Sequence, residues 1–322
     1  MVGGVGGILV AAQAPAGCTA LGVDGLPAGC AALWSHWPHA PLPPADLVDD
    51  TATGMVLRAA VDAQRWLAPW ALAIDDHADV DGCLALAACA DPETARRHAA
   101  LLRAAAECSD FACYTGPAAL RLGLLVNRAL EGCGDDAART AAARRIAGDL
   151  DGLCGRATTG DGDLDASVRA VEDALERLHA RHAVEWWRCG PLLAVRWSGS
   201  GRGADPFAAG VIPPGIGTHA LSALAPDLPQ FLVVDGPDGS RMWLDAPRHA
   251  WARTVRRPAW TARDLAPLAA RLAAEDPGAG WCAGEAARRD GFSCLLAAPS
   301  GSRLDPGAIA TRIAAALAPP AV

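Results

Sequence analysis

The stretch Trp70-Ala71-Leu72-Ala73-Ile74-Asp75-Asp76-His77-Ala78-Asp79-Val80-Asp81-Gly82-Cys83 decides the fold class. It opens on an apolar run and passes through an acidic turn. The small apolar residues from Cys83 to Ala90 then continue it. That order reads as strand, turn and helix, the unit from which parallel sheets are built. His77, Asp79 and Asp81 are spaced by two, so in an extended segment all three side chains leave on one face. An imidazole and two carboxylates at the carboxyl end of a strand make a candidate divalent-metal site, because open parallel sheets place ligands at that edge.

Working outward, similar signals precede this stretch. Thr19 to Val23 is a short apolar run ending at Asp24-Gly25, and Cys30 to Trp34 is another, ending at Ser35-His36-Trp37-Pro38. A proline-rich loop follows, and Asp50 has the position of an N-cap for a helix from about Thr51 to Ala63. Asp91-Pro92-Glu93 starts a further helix that ends near Ser109-Asp110-Phe111. Alternation of this kind predicts an α/β fold: a mostly parallel, Rossmann-like sheet with helices on both faces. Residues from Ala118 to His182 read as helical and charge-rich. The second half changes character. Val184–Trp187 with Leu192–Trp197, and Gln230–Val234 with Arg241–Leu244, read as hairpins, and helices are expected at Ala262–Ala274 and Asp305–Leu317. The expected organisation is a flexible leader at 1–17, an α/β metal-binding domain with a helical extension at 18–183, and a smaller α+β substrate-binding domain at 184–322.

Composition narrows the function. The chain has 322 residues, is 52% apolar and 20% charged, and carries a net charge of -8. That balance fits a globular protein and disfavours long nucleic acid or an anionic membrane as partner. No apolar stretch approaches the ~20 residues that span a bilayer. All 28 basic residues are arginine, which excludes a phosphate-binding GxxxxGK[ST] loop and a Schiff-base lysine. The eleven cysteines lack CxxC spacing, so structural zinc is not expected. Scattered thiols in a chain of this size are expected to be reduced, in a cytoplasmic setting. A homodimer is one assembly the sequence leaves open.

Each candidate residue also has a plainer reading. The acidic turn could be a solvated helix start, with Asp81 as cap. His36 could be a packed histidine beside Trp34 and Trp37, and Asp49-Asp50-Thr51 a helix N-terminus favoured by the dipole. Asp161-Gly162-Asp163-Leu164-Asp165 matches several positions of a calcium loop, but Ala166 stands where glycine is needed and Arg169 replaces a ligand. A run of acids leading into the next helix accounts for it. Gly215-Ile216-Gly217-Thr218-His219 and Arg253-Thr254-Val255-Arg256-Arg257 offer groups that could receive a phosphate, or else form a loop and a solvated edge. Gly199-Ser200-Gly201 lacks the strand-turn-helix pattern of a nucleophile.

Leu33-Trp34-Ser35-His36-Trp37-Pro38, Asp49-Asp50-Thr51, the HxDxDG run at 77–82 and Ser109-Asp110-Phe111 resemble an uncharacterised bacterial family of unknown function, as do Arg256-Arg257-Pro258 and Asp264-Leu265-Ala266-Pro267-Leu268. The resemblance covers most of the chain after about residue 18 and implies that Met1 to Gly17 is an extension. Locally, Asp79-Val80-Asp81-Gly82 between a strand and an Ala/Leu helix resembles the first motif of DHH phosphoesterases. That resemblance implies Mn²⁺ or Mg²⁺ held by aspartates and histidines, cleavage of phosphodiesters or pyrophosphate, and a parallel α/β metal domain with a smaller substrate domain. The chain departs from it in having no Asp-His-His triplet.

The expectation is therefore a metal-dependent phosphoesterase-like hydrolase of a small phosphoester or short nucleotide. Metal ligands would be His77, Asp79, Asp81, His36 and Asp110. His219, Arg256 and Arg257 would bind substrate phosphate from the second domain. The alternative is a catalytically inactive relative that serves as a ligand-binding or protein-interaction module.

Overall fold

The structure is a computed structural model and describes residues 4–160, 162–180, 184–197, 218–284 and 294–318. Asp161, Gly199-Ser200-Gly201 and Gly215-Ile216-Gly217 of the candidate motifs lie outside these residues. The fold is mixed α/β with two sheets. Contacts divide the chain into two compact units: Met1–Val168 with Trp251–Ala259, and Arg169–Ala250 with Trp260–Val322.

In the first unit, β1 (Ile8–Val10), β2 (Ala20–Val23), β3 (Ala32–Trp34) and β4 (Leu72–Asp75) form a wholly parallel sheet in the order β1-β4-β2-β3. The strands are short and mostly buried, as expected of a parallel sheet read as apolar runs. Register aligns their carboxyl ends: Val10 faces Asp75, Gly22 faces Ile74, and Val23 faces Trp34. Asp24, Ser35-His36 and Asp76-His77 therefore begin at one edge of the sheet.

Helices follow in order: α1 (Ala52–Ala59), α2 (Ala63–Trp66), α3 (Val80–Ala90), α4 (Pro92–Arg97), α5 (Ala99–Asp110), α6 (Pro117–Leu130), α7 (Asp136–Gly148), α8 (Leu150–Thr159) and α9 (Asp165–Ala180). α3 is buried from Val80 to Cys89, as a helix apolar all round must be. It packs against α1, α5 and α7. Leu84 and Leu86 are fully buried there, each contributing about 1.5–3 kcal/mol. The helix expected at 51–63 ends at Ala59 and passes through a 3₁₀ turn, Ala60–Asp62, into α2. The helix expected from Asp91 is split into α4 and α5 at His98.

The leader expectation is corrected. Ile8-Leu9-Val10 is a strand of the sheet, paired with Ala73 to Asp75, and Thr140 of α7 brackets its end: its hydroxyl accepts from the Val10 N–H at 2.9 Å and donates to the Val10 carbonyl at 3.2 Å. The surrounding glycines suggested a flexible tail, but a short β-branched run with a parallel partner outweighs them.

In the second unit, β5 (Val184–Cys189), β6 (Leu192–Trp197), β7 (Gln230–Val234), β8 (Ser240–Asp245), β9 (Cys282–Ala283) and β10 (Cys294–Ser302) form a mixed sheet, in the order β5-β6-β7-β8-β10-β9. Both expected hairpins are present, and β6 and β7 pair in parallel. α10 (Thr218–Leu224), α11 (Ala266–Glu275) and α12 (Pro306–Leu317) complete it. The boundary expected at 183/184 is also corrected: the division falls inside α9, and Trp251–Ala259 belongs to the first unit. Among the described residues, no helix is long and apolar enough to cross a membrane.

Candidate metal centre

Three strand ends and two helix ends build the site. Asp24 follows β2 with φ 63, a left-handed conformation that Asp tolerates better than most side chains. His36 follows β3 and is fully buried. Asp75, Asp76 and His77 come from the end of β4, and Asp79 and Asp81 from the start of α3. Asp110 is the last residue of α5.

The expectation of one extended face for His77, Asp79 and Asp81 is corrected. Ala78 turns the chain with φ 58, Asp79 is the N-cap of α3 and accepts the Gly82 N–H at 2.9 Å, and Asp81 lies in the first helical turn. Asp81 parts from His77 and Asp79, and Asp24 stands in both groups. His77 Nε2 lies 3.1 Å from Asp24 Oδ2 and 3.3 Å from Asp79 Oδ2, while its Nδ1 lies 2.9 Å from Asp76 Oδ1 and 3.2 Å from Asp75 Oδ1. On the buried side, His36 Nε2 lies 3.6 Å from Asp24 Oδ1 and 3.7 Å from Asp110 Oδ2, and its Nδ1 is 3.5 Å from Asp81 Oδ2. Asp24-His77-Asp79, Asp24-His36-Asp81 and Asp75-Asp76-His77 each converge within a 4.8 Å span, which a single cation could fill. Two donors each ~2.1 Å from one ion lie ~3.0–3.4 Å apart in octahedral or tetrahedral geometry, close to these separations.

Among the described residues, both Asp24 carboxylate oxygens, both His36 ring nitrogens and Asp110 Oδ2 are buried without a hydrogen bond. Each such group costs about 1–3 kcal/mol of desolvation. Asp81 is different: it accepts the Ala52 N–H at 2.7 Å and the Thr53 N–H at 2.8 Å, and so also caps α1 across the chain. Thr51 is the N-cap of α1 in its own sequence, where Asp50 was expected.

Burial sets the protonation states. It raises Asp24 and Asp110 well above the usual carboxylate range, reinforced by neighbouring aspartates, and pushes Asp81 up to about 7 with Asp79 as second cause. Burial also holds the His36 imidazole neutral, down to about 4. His77 goes the other way. Although burial opposes its charge, Asp24, Asp75 and Asp79 hold it protonated well above its ordinary value. In the metal-free site Asp81 and Asp110 thus hold protons more readily than usual beside the neutral His36, while burial draws Asp24 toward its proton and His77 draws it toward its charge. That is an expensive arrangement without a cation and a suitable one for receiving it.

Glycine makes the close approach possible. A Cβ on Gly82 would collide with the Asp75 carboxylate and stand 3.3 Å from Asp24 Oδ2, and one on Gly25 would collide with Asp76. Aromatic rings frame the other side. Trp251 meets His36 edge-on at 5.0 Å between centroids, Trp37 meets His77 at 5.9 Å, and Phe111 lies 6.1 Å from His36.

The arginines take a different place from the one expected. Arg256 and Arg257 belong to the first unit. Arg256 pairs with Asp49 at 2.8 Å and with Glu107, and Arg257 with Glu107 at 2.8 Å and Asp50 at 3.5 Å. Asp49 is buried, yet the Asp50 N–H and the Arg58 guanidinium hold its carboxyl below the usual range. These pairings latch both arginines onto Asp49, Asp50 and Glu107 within the first unit. His219 lies in α10 of the second unit. Asp163 and Asp165 of the calcium-like run pair with Arg128 and Arg121. Asp24, Asp75 and Asp76 were not in the expected ligand set. Asp24 had a signal, a lone acid ending an apolar run before glycine.

Residues 10–151 match the model of a family of unknown function, DUF6687. The match begins inside the segment read as an extension and stops short of Arg256-Arg257-Pro258 and Asp264–Leu268. No curated protein and no solved structure matches the chain.

Proposed function

We propose that the first unit holds Mn²⁺ or Mg²⁺ and belongs to a metal-dependent, phosphoesterase-like hydrolase of a small phosphoester or short nucleotide. In this reading the parallel sheet of the first unit is Rossmann-like. The observation that carries it is the set of buried, unbonded polar atoms on Asp24, His36 and Asp110 beside the His77-Asp79 pair. Asp24 is shared between the two sides and would bind on both. His77 and Asp79 would complete the more exposed position, and His36, Asp81 and Asp110 the buried one. Two imidazoles among the donors favour Mn²⁺ over Mg²⁺. A divalent ion there supplies an activated water and neutralises phosphoryl charge. The protein's own contribution is to hold His36 neutral as a donor, to keep Asp79 ionised at the α3 cap, and to shield the pair with Trp37 and Trp251.

The test is hydrolysis of bis(p-nitrophenyl) phosphate and of a dinucleotide by Mn²⁺-loaded protein, with Asp24→Asn beside it. Turnover by the wild type and its loss in the variant supports the reading. Full metal loading without hydrolysis of any phosphoester refutes it and leaves an inactive, ligand-binding or protein-interaction module.

A further inference from the structure

The segment Trp251–Ala259 reaches the first unit from a part of the chain about a hundred residues beyond the family match, and it fixes the loop that carries His36. The Arg253 N–H donates to the His36 carbonyl at 2.7 Å. Its guanidinium donates to the carbonyls of Ser35 at 3.0 Å, Ala40 at 2.9 Å and Pro41 at 3.2 Å. One side chain thus ties both ends of the loop after β3. The segment is itself anchored further on, where Asp50 Oδ1 accepts the Val255 and Arg256 N–H groups at 2.6 and 2.9 Å. Trp251, two residues before Arg253, places its ring against the His36 imidazole.

We propose that Arg253 is a positioning residue for the metal centre: it holds residues 35–41 in the one conformation that points the His36 imidazole between Asp24, Asp81 and Asp110. A planar fork with several donors suits this task, since it satisfies three diverging carbonyls at once, which an ammonium on a flexible stem does less well. The site is therefore complete only with a segment that the family match does not include.

The effect on metal rests on the proposed function; the effect on the loop does not, and the experiment separates them. Full-length wild type, Arg253→Gln and Arg253→Lys are compared by backbone hydrogen exchange without metal and by Mn²⁺ titration. Arg253→Gln is expected to speed exchange at 35–41 about tenfold or more while β2 and β4 keep their protection. It is expected to weaken Mn²⁺ binding by about tenfold, and Arg253→Lys should fall between it and wild type. If Arg253→Gln does not fold, Arg253→Lys carries the same comparison. Unchanged exchange at 35–41 overturns the proposal, and so does faster exchange with unchanged Mn²⁺ affinity. A wild type that binds no Mn²⁺ would sink the proposed function and the metal part of this proposal, while the exchange result still decides whether Arg253 holds the loop.

Discussion

Asp81 shows at the scale of one residue why the acidic turn is more than a helix start. Its carboxylate caps α1 through two N–H groups and faces His36 at the same time. Asp81→Asn removes one acceptor and turns an amide donor toward an N–H, so it should destabilise the fold by about 1–3 kcal/mol, read by urea denaturation, even without metal. Metal loss in that variant would therefore be ambiguous. Asp24 is the cleaner probe, because among the described residues its carboxylate caps no helix: its close partner is His77, at 3.1 Å, itself a member of the proposed site. Gly82→Ala drives a methyl group into the Asp75 carboxylate. It should cost about 1–3 kcal/mol as an overpacked site and weaken metal binding by displacing Asp75 and Asp24. Unchanged stability and metal affinity in Gly82→Ala would contradict the packing described.

At the scale of elements, the latch between α1, α5 and residues 251–259 carries its own test. Arg257 is nearly buried between Glu107 and Asp50. Arg257→Met takes one partner from each of Glu107 and Asp50, which keep Arg256 and the Val255 and Arg256 N–H groups, and should cost about 1–3 kcal/mol in thermal or urea unfolding. Arg58, far more exposed and paired with the neighbouring Asp49, should cost under about 1 kcal/mol when changed to Met. Equal effects from the two would contradict the burial argument. The sequence made much of this level legible. Apolar runs ending in Asp24, His36 and Asp75-Asp76-His77 gave the strands and their polar ends, and Asp91-Pro92 and Asp305-Pro306 gave helix starts that the structure places at the same points. Local pattern could not supply what depends on the third dimension. The left-handed turn at Ala78 breaks a period of two that is plain in the letters. Asp81 finds its N–H partners in another helix, and the Arg253 N–H meets the His36 carbonyl more than 200 residues away in sequence. Glycine-rich surroundings hid β1 for the opposite reason: three residues are too few to outweigh composition until a partner strand is known.

For the first unit as a whole, metal and protons should compete. Asp24, Asp81 and Asp110 all have raised folded values, so metal-free protein holds their protons more tightly than the unfolded chain does. Their stabilisation is full below the unfolded carboxylate range and is lost as pH rises, for Asp81 through about 7. His36 opposes this, losing stability as pH falls from its ordinary value toward about 4, and so does Asp79, whose lowered carboxyl gives stability that is lost as pH falls. Metal must displace those protons, so its stabilisation should grow with pH. A Mn²⁺ excess of about a hundred times the dissociation constant should raise the melting temperature by about 5–10 °C near neutral pH. The rise should be clearly smaller about two pH units lower. An equal rise at both would contradict the protonation states assigned to the site.

The most direct test is the number of Mn²⁺ ions retained per chain after loading and desalting, measured on wild type and Asp24→Asn in parallel. One or two ions on the wild type, with binding lost or weakened at least about tenfold in the variant, is the expected result, since Asp24 serves both sides of the cluster. No ion on the wild type, or the same number held as tightly by Asp24→Asn, would contradict a metal centre at these strand ends.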